Sequence, residues 1–132
     1  MKRKLTLASL AAAAIFVLTS QTQEEPIMWE ERGMTAINTA TLATDVEGYA
    51  GATPVIVYIK NDKVERVEPL PNEETPKYFA LMSRKLLGKW KGMTAKKAET
   101  AKVDAVTGAT MSSDAVIENV RRGVAYYNHF KR

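Results

Sequence analysis

The strongest local pattern in the chain is an apolar run, a short polar turn and a second, half-apolar run. Val55–Ile59 is β-branched and aromatic, and the polar residues 60–63 follow it directly. This order predicts a strand, a tight turn and a second strand from Val64 to about Glu68. Asn61-Asp62 is a weaker hairpin turn than Asn-Gly, because Asp enters the left-handed region at some cost. Since the first strand is apolar almost throughout, we expect both of its faces to be covered.

A helix is indicated after this hairpin. Thr75 is a good N-cap residue, Pro76 suits the first helical position, and Gly88 is expected to end the helix. Its apolar side chains recur at helical spacing and predict one buried stripe: Tyr78, Phe79, Met82, Leu86 and Leu87. Thr94–Ala98 is predicted to form a single helical turn.

The last helix has the clearest periodicity. Ser112, Ser113 or Asp114 can cap and charge its start, and it is expected to end near Tyr127 or Asn128. Its predicted apolar stripe consists of Val116, Ile117, Val120, Val124 and Tyr127. Together the elements predict an α+β fold, a small antiparallel sheet with helices packed against it.

Two further segments complete the pattern. Met34–Asp45 is rich in Thr and Ala and fits a strand or a short helix equally well. Trp90 and Met93 stand between Lys and Gly residues and are predicted to fill the core.

The beginning of the chain has the order of a secretory signal peptide. Lys2-Arg3-Lys4 precedes an uncharged, mostly apolar run to Leu18 and a small polar exit. Cleavage after Ser20 gives a signal peptide over residues 1–20, a linker over 21–36 and a domain over 37–130. The alternatives are an uncleaved membrane anchor and a buried cytoplasmic helix. Export or anchoring places the domain in the periplasm or at the outer face of the cytoplasmic membrane.

Charge and composition remove several classes of function. The net charge of +4 includes three positive charges of the leader, so the remainder is nearly neutral and gives little electrostatic reason to expect nucleic acid. The absence of cysteine excludes disulfides, thiolate metal sites and a Cys nucleophile. With one histidine, His129, a histidine-rich metal site or a Ser-His-Asp triad is not expected.

The segment from Asp104 to Ser113 carries the most chemical information. It enters the last helix, whose start offers unpaired N–H groups and the positive end of the dipole, both suited to a phosphate. Gly108 permits close approach of the backbone to a ligand, and Ala109 adds little bulk. Four hydroxyls can donate to phosphate oxygens: Thr107, Thr110, Ser112 and Ser113. The alternative is a capped helix start with small residues for close packing, and the glycine spacing matches neither a P-loop nor a dinucleotide fingerprint.

Thr107-Gly108-Ala109-Thr110, preceded by Asp104 and followed by Ser112-Ser113, resembles the flavinylation motif of bacterial FMN-binding domains. That family includes peripheral FMN subunits of sodium-pumping NADH:quinone reductases and of Rnf complexes. The resemblance implies FMN as the cofactor, joined by a phosphoester to Thr110. It also implies a flavin transferase that uses FAD and a divalent metal as a partner. Because the sequence has no nicotinamide site, electrons are expected to arrive from a membrane electron-transfer partner or from another flavin or haem protein.

The resemblance extends from about Asp45 to Tyr127. Glu47–Gly51 and the hairpin resemble the opening strands of the family, and Glu74-Thr75-Pro76 resembles its element before a helix. The chain departs from the family pattern at Asn61-Asp62, where Asp-Gly is frequent, and at Lys77, where Gly often follows Glu-Thr-Pro.

The resemblance assigns roles that the residues alone leave open. Asp104 is interpreted as a residue that the transferase recognises, with a turn of the chain as the alternative. Glu74 and Thr75 are candidates for contact with the flavin, although Thr75 could be a helix cap only. Tyr49 and Trp90 could flank the flavin ring, but core positions are the simpler interpretation.

These features predict an extracytoplasmic flavoprotein that transfers electrons, rather than an enzyme with its own small substrate. The alternatives are a module that holds flavin non-covalently without redox turnover, a small flavin-dependent reductase, and a structural domain without cofactor.

Overall fold

The computed structural model describes residues 25–132, and the predicted signal peptide lies outside the described residues. Four antiparallel strands form one sheet in chain order: β1 Met28–Glu31, β2 Met34–Asn38, β3 Val55–Lys60 and β4 Lys63–Pro69. The helices are α1 Pro76–Leu86, a 3₁₀ turn Leu87–Trp90, α2 Ala95–Thr100 and α3 Thr110–Phe130. This architecture confirms the α+β prediction.

The β3–β4 hairpin is the element that the sequence predicts best. Lys60 pairs with Lys63, and the two turn residues between them, Asn61 and Asp62, have φ of 52° and 63°. Positive φ at both central positions is the geometry of a type I′ turn, whose twist matches that of the strands. The predicted pair of strands and the tight turn are therefore confirmed.

The sheet begins earlier in the chain than predicted. β1 and the first part of β2 lie within residues 21–36, for which the sequence predicts a linker. The two strands pair from Met28↔Ile37 to Glu31↔Met34. The linker interpretation is wrong for this hairpin. In its turn, Arg32 has φ of 52° and Gly33 has φ of 75°. Glycine adopts a positive φ without steric cost. The open choice for Met34–Asp45 is resolved as a strand that ends at Asn38.

Both faces of the central strand β3 are covered. On one face, Val55, Val57 and Ile59 are buried against the helices. On the other face, Tyr58 is buried in a small cluster with Met34 and Ala36 and lies beneath the Arg66 guanidinium, 4.1 Å from the ring centroid. The expectation from the apolar sequence of β3 is therefore confirmed for the helix face, and on the other face it holds at Tyr58, whereas Ile56 is half-buried.

α3 crosses the sheet closely at a glycine. A Cβ on Gly123 would lie 2.9 Å from Thr39 Cγ2 and 3.3 Å from Val57 Cγ2. The buried Thr39 hydroxyl donates to Asn119 Oδ1 at 2.6 Å and accepts from the Val55 N–H at 2.9 Å. Close approach and these hydrogen bonds fix α3 on the sheet and so determine where its N-terminus lies.

The bounds of the helices differ from the prediction at both ends of α3. It starts at Thr110, with Ala109 in the N-cap position, and ends at Phe130. Ser112 and Ser113 therefore lie inside the first turn, and the prediction that they cap the helix is wrong.

The apolar stripe of α1 is narrower than predicted. Met82 and Leu86 are buried, but Tyr78 is 63% exposed. Thr75 occupies the N-cap position without a side-chain cap hydrogen bond, and the helical path continues beyond Gly88 to Trp90 as a 3₁₀ turn. Trp90 fills the core as predicted, at 2% exposure. Among residues 25–132, no helix combines the length and the apolar character needed to cross a membrane.

Candidate functional site

A cleft opens where the loop before β3 meets the beginnings of α1 and α3. Its volume is about 710 Å³. The side chains and backbone that line it come from these three segments: Tyr49, Glu74, Thr75, Tyr78, Phe79, Gly108, Ala109, Thr110, Met111 and Ser112. The sheet contributes no lining residue among the described ones, so the cleft lies at the end of the fold, beyond the packed core.

A buried carboxylate holds the three segments together. Glu74 is 6% exposed. Its Oε1 accepts from the Tyr49 N–H at 2.9 Å and from the Ser112 hydroxyl at 2.7 Å, and its Oε2 accepts from the Ala50 N–H at 2.7 Å. Hydrogen bonds to an ionised carboxylate are stronger than those between neutral groups. Glu74 therefore ties the loop at 49–50 and the first turn of α3 to the entrance of α1.

Gly48 makes room for this carboxylate. A Cβ at Gly48 would overlap Glu74 Oε1 and would lie 3.1 Å from Thr53 Cγ2. The Gly48 N–H donates to the Gly51 carbonyl at 2.7 Å, which closes the loop on itself. The glycine in this position is required by the close approach of a side chain and not by a positive φ.

The N-terminus of α3 is open toward the cleft. Gly108 has φ of 85°, a left-handed conformation that suits glycine, and it turns the chain into the helix. Ala109 has no side chain that could cap the helix, and no side-chain cap hydrogen bond is formed. The first N–H groups of the helix have no intrahelical acceptors and form the positive end of its dipole. This arrangement favours an anion at the cleft wall.

The four candidate hydroxyls occupy four different environments. Ser113 is fully buried and accepts from the Val106 N–H at 3.0 Å, while Ser112 donates to Glu74. Thr107 is exposed in the turn but does not line the cleft. Thr110 is exposed, lines the cleft, and forms no side-chain hydrogen bond within residues 25–132. Thr110 is thus the one hydroxyl of the four that is both uncommitted and placed on the cleft wall.

The structure brings most of the predicted site residues together. Glu74, Thr75, Gly108, Ala109, Thr110 and Ser112 all line the cleft. Thr107, Ser113 and Asp104 do not line the cleft. The Asp104 side chain is exposed, and the Asp104 backbone carbonyl accepts a hydrogen bond from Lys89 Nζ at 3.3 Å.

Four lining residues were not among the predicted site residues: Tyr49, Tyr78, Phe79 and Met111. Tyr78 and Phe79 follow Thr75 within one turn of α1, and Met111 follows Thr110, so adjacency to predicted site residues was the available signal. Of the two aromatics considered for the flavin ring, Tyr49 is 77% exposed at the cleft and Trp90 is in the core.

The opposite end of α3 is closed by a second polar cluster. The Tyr127 hydroxyl donates to Asp62 Oδ1 at 3.0 Å, and Lys131 Nζ donates to the same oxygen at 3.1 Å. Burial, followed by the Asp62 hydrogen bond, raises the pKa of Tyr127 to about 12. The hydrogen bonds from Lys131 and Tyr127 lower the pKa of Asp62 below its usual value. A smaller cavity of about 360 Å³ lies nearby, between β1 and the C-terminal residues.

Comparison with known families identifies the chain. Residues 48–125 match the model of the FMN-binding domain, which covers more than half of the sequence. The chain therefore belongs to the FMN-binding domain family. Searches of the curated proteins and of the solved structures gave no significant match.

The residues of the cleft fit FMN, which is the cofactor of this family. The cleft volume of about 710 Å³ lies within the range of roughly 300–1,000 Å³ typical of small-molecule sites. When FMN binds in this cleft, Tyr49, Tyr78 and Phe79 would supply aromatic surface for the isoalloxazine ring system, and the open start of α3 would supply N–H donors for the phosphate. FMN, when bound, supplies the redox chemistry, and the protein supplies orientation and electrostatics.

Proposed function

We propose that the protein is an exported electron-transfer flavoprotein whose FMN is attached through a phosphoester to Thr110. The observation that carries the proposal is the state of the Thr110 hydroxyl, which is exposed, uncommitted and placed on the cleft wall at the open end of α3. A phosphoester there meets the positive end of the helix dipole, which is worth about 0.3–1 kcal/mol at an exposed position.

Among the residues that the structure describes, the cleft lining contains no uncommitted base that could activate Thr110. The one carboxylate in the cleft lining, Glu74, already accepts three hydrogen bonds. The one histidine, His129, lies nineteen residues further along α3, about 28 Å away at a rise of 1.5 Å per residue. A flavin transferase with its own metal would supply the activation. The Thr110 hydroxyl loses its proton and bonds to the FMN phosphate, while FAD loses its other half as AMP.

Asp104 supports recognition by such a transferase. Its side chain is exposed, lies outside the cleft lining and forms no hydrogen bond within the described residues. A side chain that is neither packed in the core nor part of the cleft lining is accessible to a second protein such as the transferase. Replacement by alanine should therefore lower the rate of flavin loading and leave the thermal unfolding curve unchanged.

The main experiment co-expresses the protein with a flavin transferase and measures flavin fluorescence in a denaturing gel, together with the intact mass. Thr110→Val keeps the shape of the side chain and should abolish the fluorescent band. Thr110→Ser keeps the nucleophile and should retain part of it, and the matched Thr107→Val should reduce loading without eliminating it. A fluorescent Thr110→Val band would falsify the assignment.

The same experiment separates covalent from non-covalent binding. Flavin that copurifies with the native protein but leaves the denatured chain supports a non-covalent flavin module. Export is tested by the mass of the mature N-terminus, which should lie near Gln21. A cytoplasmic chain with Met1 intact would contradict export.

A further inference from the structure

The described chain has a strongly uneven distribution of charge. Residues 75–98 contain seven basic and no acidic side chains, whereas the other described residues contain nine basic and fourteen acidic ones. All seven are exposed, and none forms an ion pair with any residue of 25–132: Lys77, Arg84, Lys85, Lys89, Lys91, Lys96 and Lys97. The ion pairs of the described chain instead use cations outside this segment, so this cationic stretch is not neutralised by the fold.

Part of this stretch forms one face of α1. Lys77, Leu81, Arg84 and Lys85 have spacings of four, three and one residues and therefore lie along one side of the helix. All four are exposed, and Leu81 is 42% exposed between the three cations. This face, called here the α1 surface, extends for about 12 Å along the helix axis.

The α1 surface begins beside the flavin cleft. Tyr78 and Phe79, which follow Lys77, line the cleft. Five large apolar side chains of the described residues are strongly exposed, and four of them lie at the cleft or on α1, namely Tyr49, Tyr78, Leu81 and Met111. The mouth of the cleft is thus bordered by uncovered apolar groups with a cationic helix face at their side.

We propose that the α1 surface and the mouth of the cleft form the docking site for an acidic electron-transfer protein. This inference rests on the proposed function as an electron carrier. Protein interfaces are enriched in aromatic residues, Met and Arg around an apolar centre, and charge complementarity at their edge accelerates encounter and selects the partner. The exposed Tyr and Met side chains and Arg84 are of the enriched types. The unpaired cations of the α1 surface lie at the edge of this apolar group and call for negative charge on the partner.

The location favours a redox protein as the occupant over a membrane surface. A carrier has to bring its cofactor close to that of its partner, and the cationic face adjoins the mouth of the cofactor cleft. The opposite end of the fold, about 30 Å away along α3, has a mixed set of charges that includes the Asp62–Lys131 pair. Redox encounters of this kind use small interfaces, often below about 1,200 Å², so a helix face and a cleft rim suffice.

The test measures binding to two probe proteins by amide chemical shifts of the flavin-free protein. The probes are a plant-type [2Fe–2S] ferredoxin, which is acidic, and cytochrome c, which is basic. The Lys77→Glu/Arg84→Glu/Lys85→Glu variant removes the α1 cations. Its matched control, Arg32→Glu/Lys60→Glu/Lys63→Glu, also replaces one Arg and two Lys that are exposed. These three lie at the turns near the far end of α3, since Thr35 pairs with Ile59 and Asp62 contacts Tyr127.

The proposal expects ferredoxin to shift amides of α1 and of the cleft mouth, and the affinity to fall when salt is raised to about 0.15 M. The α1 variant should bind ferredoxin about tenfold more weakly and the control within about twofold of wild type. Cytochrome c should bind weakly and without preference for α1. Equal losses in the two variants, or shifts confined to the far turns, would overturn the proposal because they would reflect net charge alone.

Two further measurements separate this surface from other roles. The first measurement is sedimentation with phosphatidylglycerol vesicles. If the wild-type protein sediments with the vesicles, the α1 variant does not, and the variant still binds ferredoxin as wild type does, the proposal is overturned in favour of a membrane surface. Flavin loading by the transferase should be normal in the α1 variant; a loss of loading without a loss of ferredoxin binding would assign the surface to the transferase. Failure of the proposed function itself is distinct, because it would show as absence of covalent flavin in the wild-type protein.

Discussion

A carboxylate that accepts several hydrogen bonds lies beside each end of α3, but the two carboxylates have different structural roles. Glu74, at the N-terminal end, is 6% exposed and bonds two backbone N–H groups and the Ser112 hydroxyl. Asp62, at the C-terminal end, has a side chain that is 52% exposed and accepts from Tyr127 and Lys131. Glu74 joins three segments around an open cleft, whereas Asp62 fastens a hairpin turn to the end of a helix that is already packed.

The difference teaches where a binding site can be built in a small domain. At the far end, the cavity is about half as large, at about 360 Å³, and the polar contacts of Asp62 lie at the surface. At the cleft end, the polar contacts are partly inside, and the aromatic side chains remain uncovered. Space for a ligand is kept because the segments are held by hydrogen bonds to one buried group rather than by apolar side chains that would occupy the cleft.

The largest effect is expected from Glu74→Ala. It leaves the N–H groups of Tyr49 and Ala50 without their acceptor, and hydrogen bonds to charged groups contribute roughly 1.5–3 kcal/mol each. We expect a lower free energy of unfolding in urea and a loss of covalent flavin loading. Glu73→Ala, at an exposed neighbour, should change the free energy by no more than about 0.5 kcal/mol. Equal effects of the two variants would remove the distinction between the two carboxylates.

A second test concerns the space that Gly48 leaves for the carboxylate. Gly48→Ala places a methyl group against Glu74 Oε1, and overpacking of this kind costs about 1–3 kcal/mol. Gly88→Ala is the control, because a Cβ there meets no atom within 4 Å. Thermal unfolding of the two variants should differ clearly. If Gly48→Ala is as stable as Gly88→Ala, the Glu74 carboxylate moves easily and does not fix the loop.

At the far end, Tyr127→Phe removes the hydrogen bond to Asp62 and should cost about 1 kcal/mol at neutral pH. Burial and the Asp62 hydrogen bond raise the pKa of Tyr127 from its ordinary value of 10.0 to about 12. Its contribution is therefore fully present below pH 10 and is lost as the pH rises toward 12. The difference between wild type and Tyr127→Phe, measured by urea unfolding, should shrink over that range. The control is Tyr126→Phe at neutral pH, which removes a hydroxyl without a hydrogen bond to the described residues and should cost less than Tyr127→Phe. A constant difference from pH 9 to 12 would contradict this account.

The smallest effect is expected from Asp62→Asn. Surface ion pairs contribute about 0.2–1 kcal/mol and are screened by salt. The pKa of Asp62 is lowered, first by the Lys131 and then by the Tyr127 hydrogen bond. Its contribution is therefore present above the unfolded value of 3.8 and is lost as the pH falls through the lower pKa of the folded state. Flavin loading should be unaffected, which is the sharpest contrast with Glu74→Ala.

The parts of the fold that follow from local chemistry were predictable. The β3–β4 hairpin follows from β-branched residues on both sides of a polar turn, and the buried stripe of α3 follows from helical spacing. β1 was missed because Met-Trp-Glu-Glu has neither alternation nor a run of β-branched residues, and its pairing depends on the neighbouring strand. Tyr78 was assigned to the core because spacing cannot tell a core stripe from the wall of a cleft.

Six of the ten residues that line the cleft are among the predicted site residues, but their arrangement was not predictable. The motif around Thr110 identified the correct helix start, yet Ser112 and Ser113 were expected to cap it. Ser112 instead bonds Glu74, 38 residues away, and Ser113 bonds the Val106 N–H, seven residues away. Only the folded chain shows which of the possible hydrogen bonds forms. The role of Glu74 as a link between three segments likewise depends on the tertiary fold.

The early hairpin also affects which part of the chain can stand alone. The family match begins at residue 48, so it contains β3 and β4 but neither β1 nor β2. In a fragment that starts there, β3 would become an edge strand with its Thr35–Asn38 partners removed. An apolar edge with free N–H and C=O groups is a template for pairing between molecules. The residues that precede the family match therefore cover the apolar edge of β3 and leave β1, which carries two Glu residues, as the edge strand.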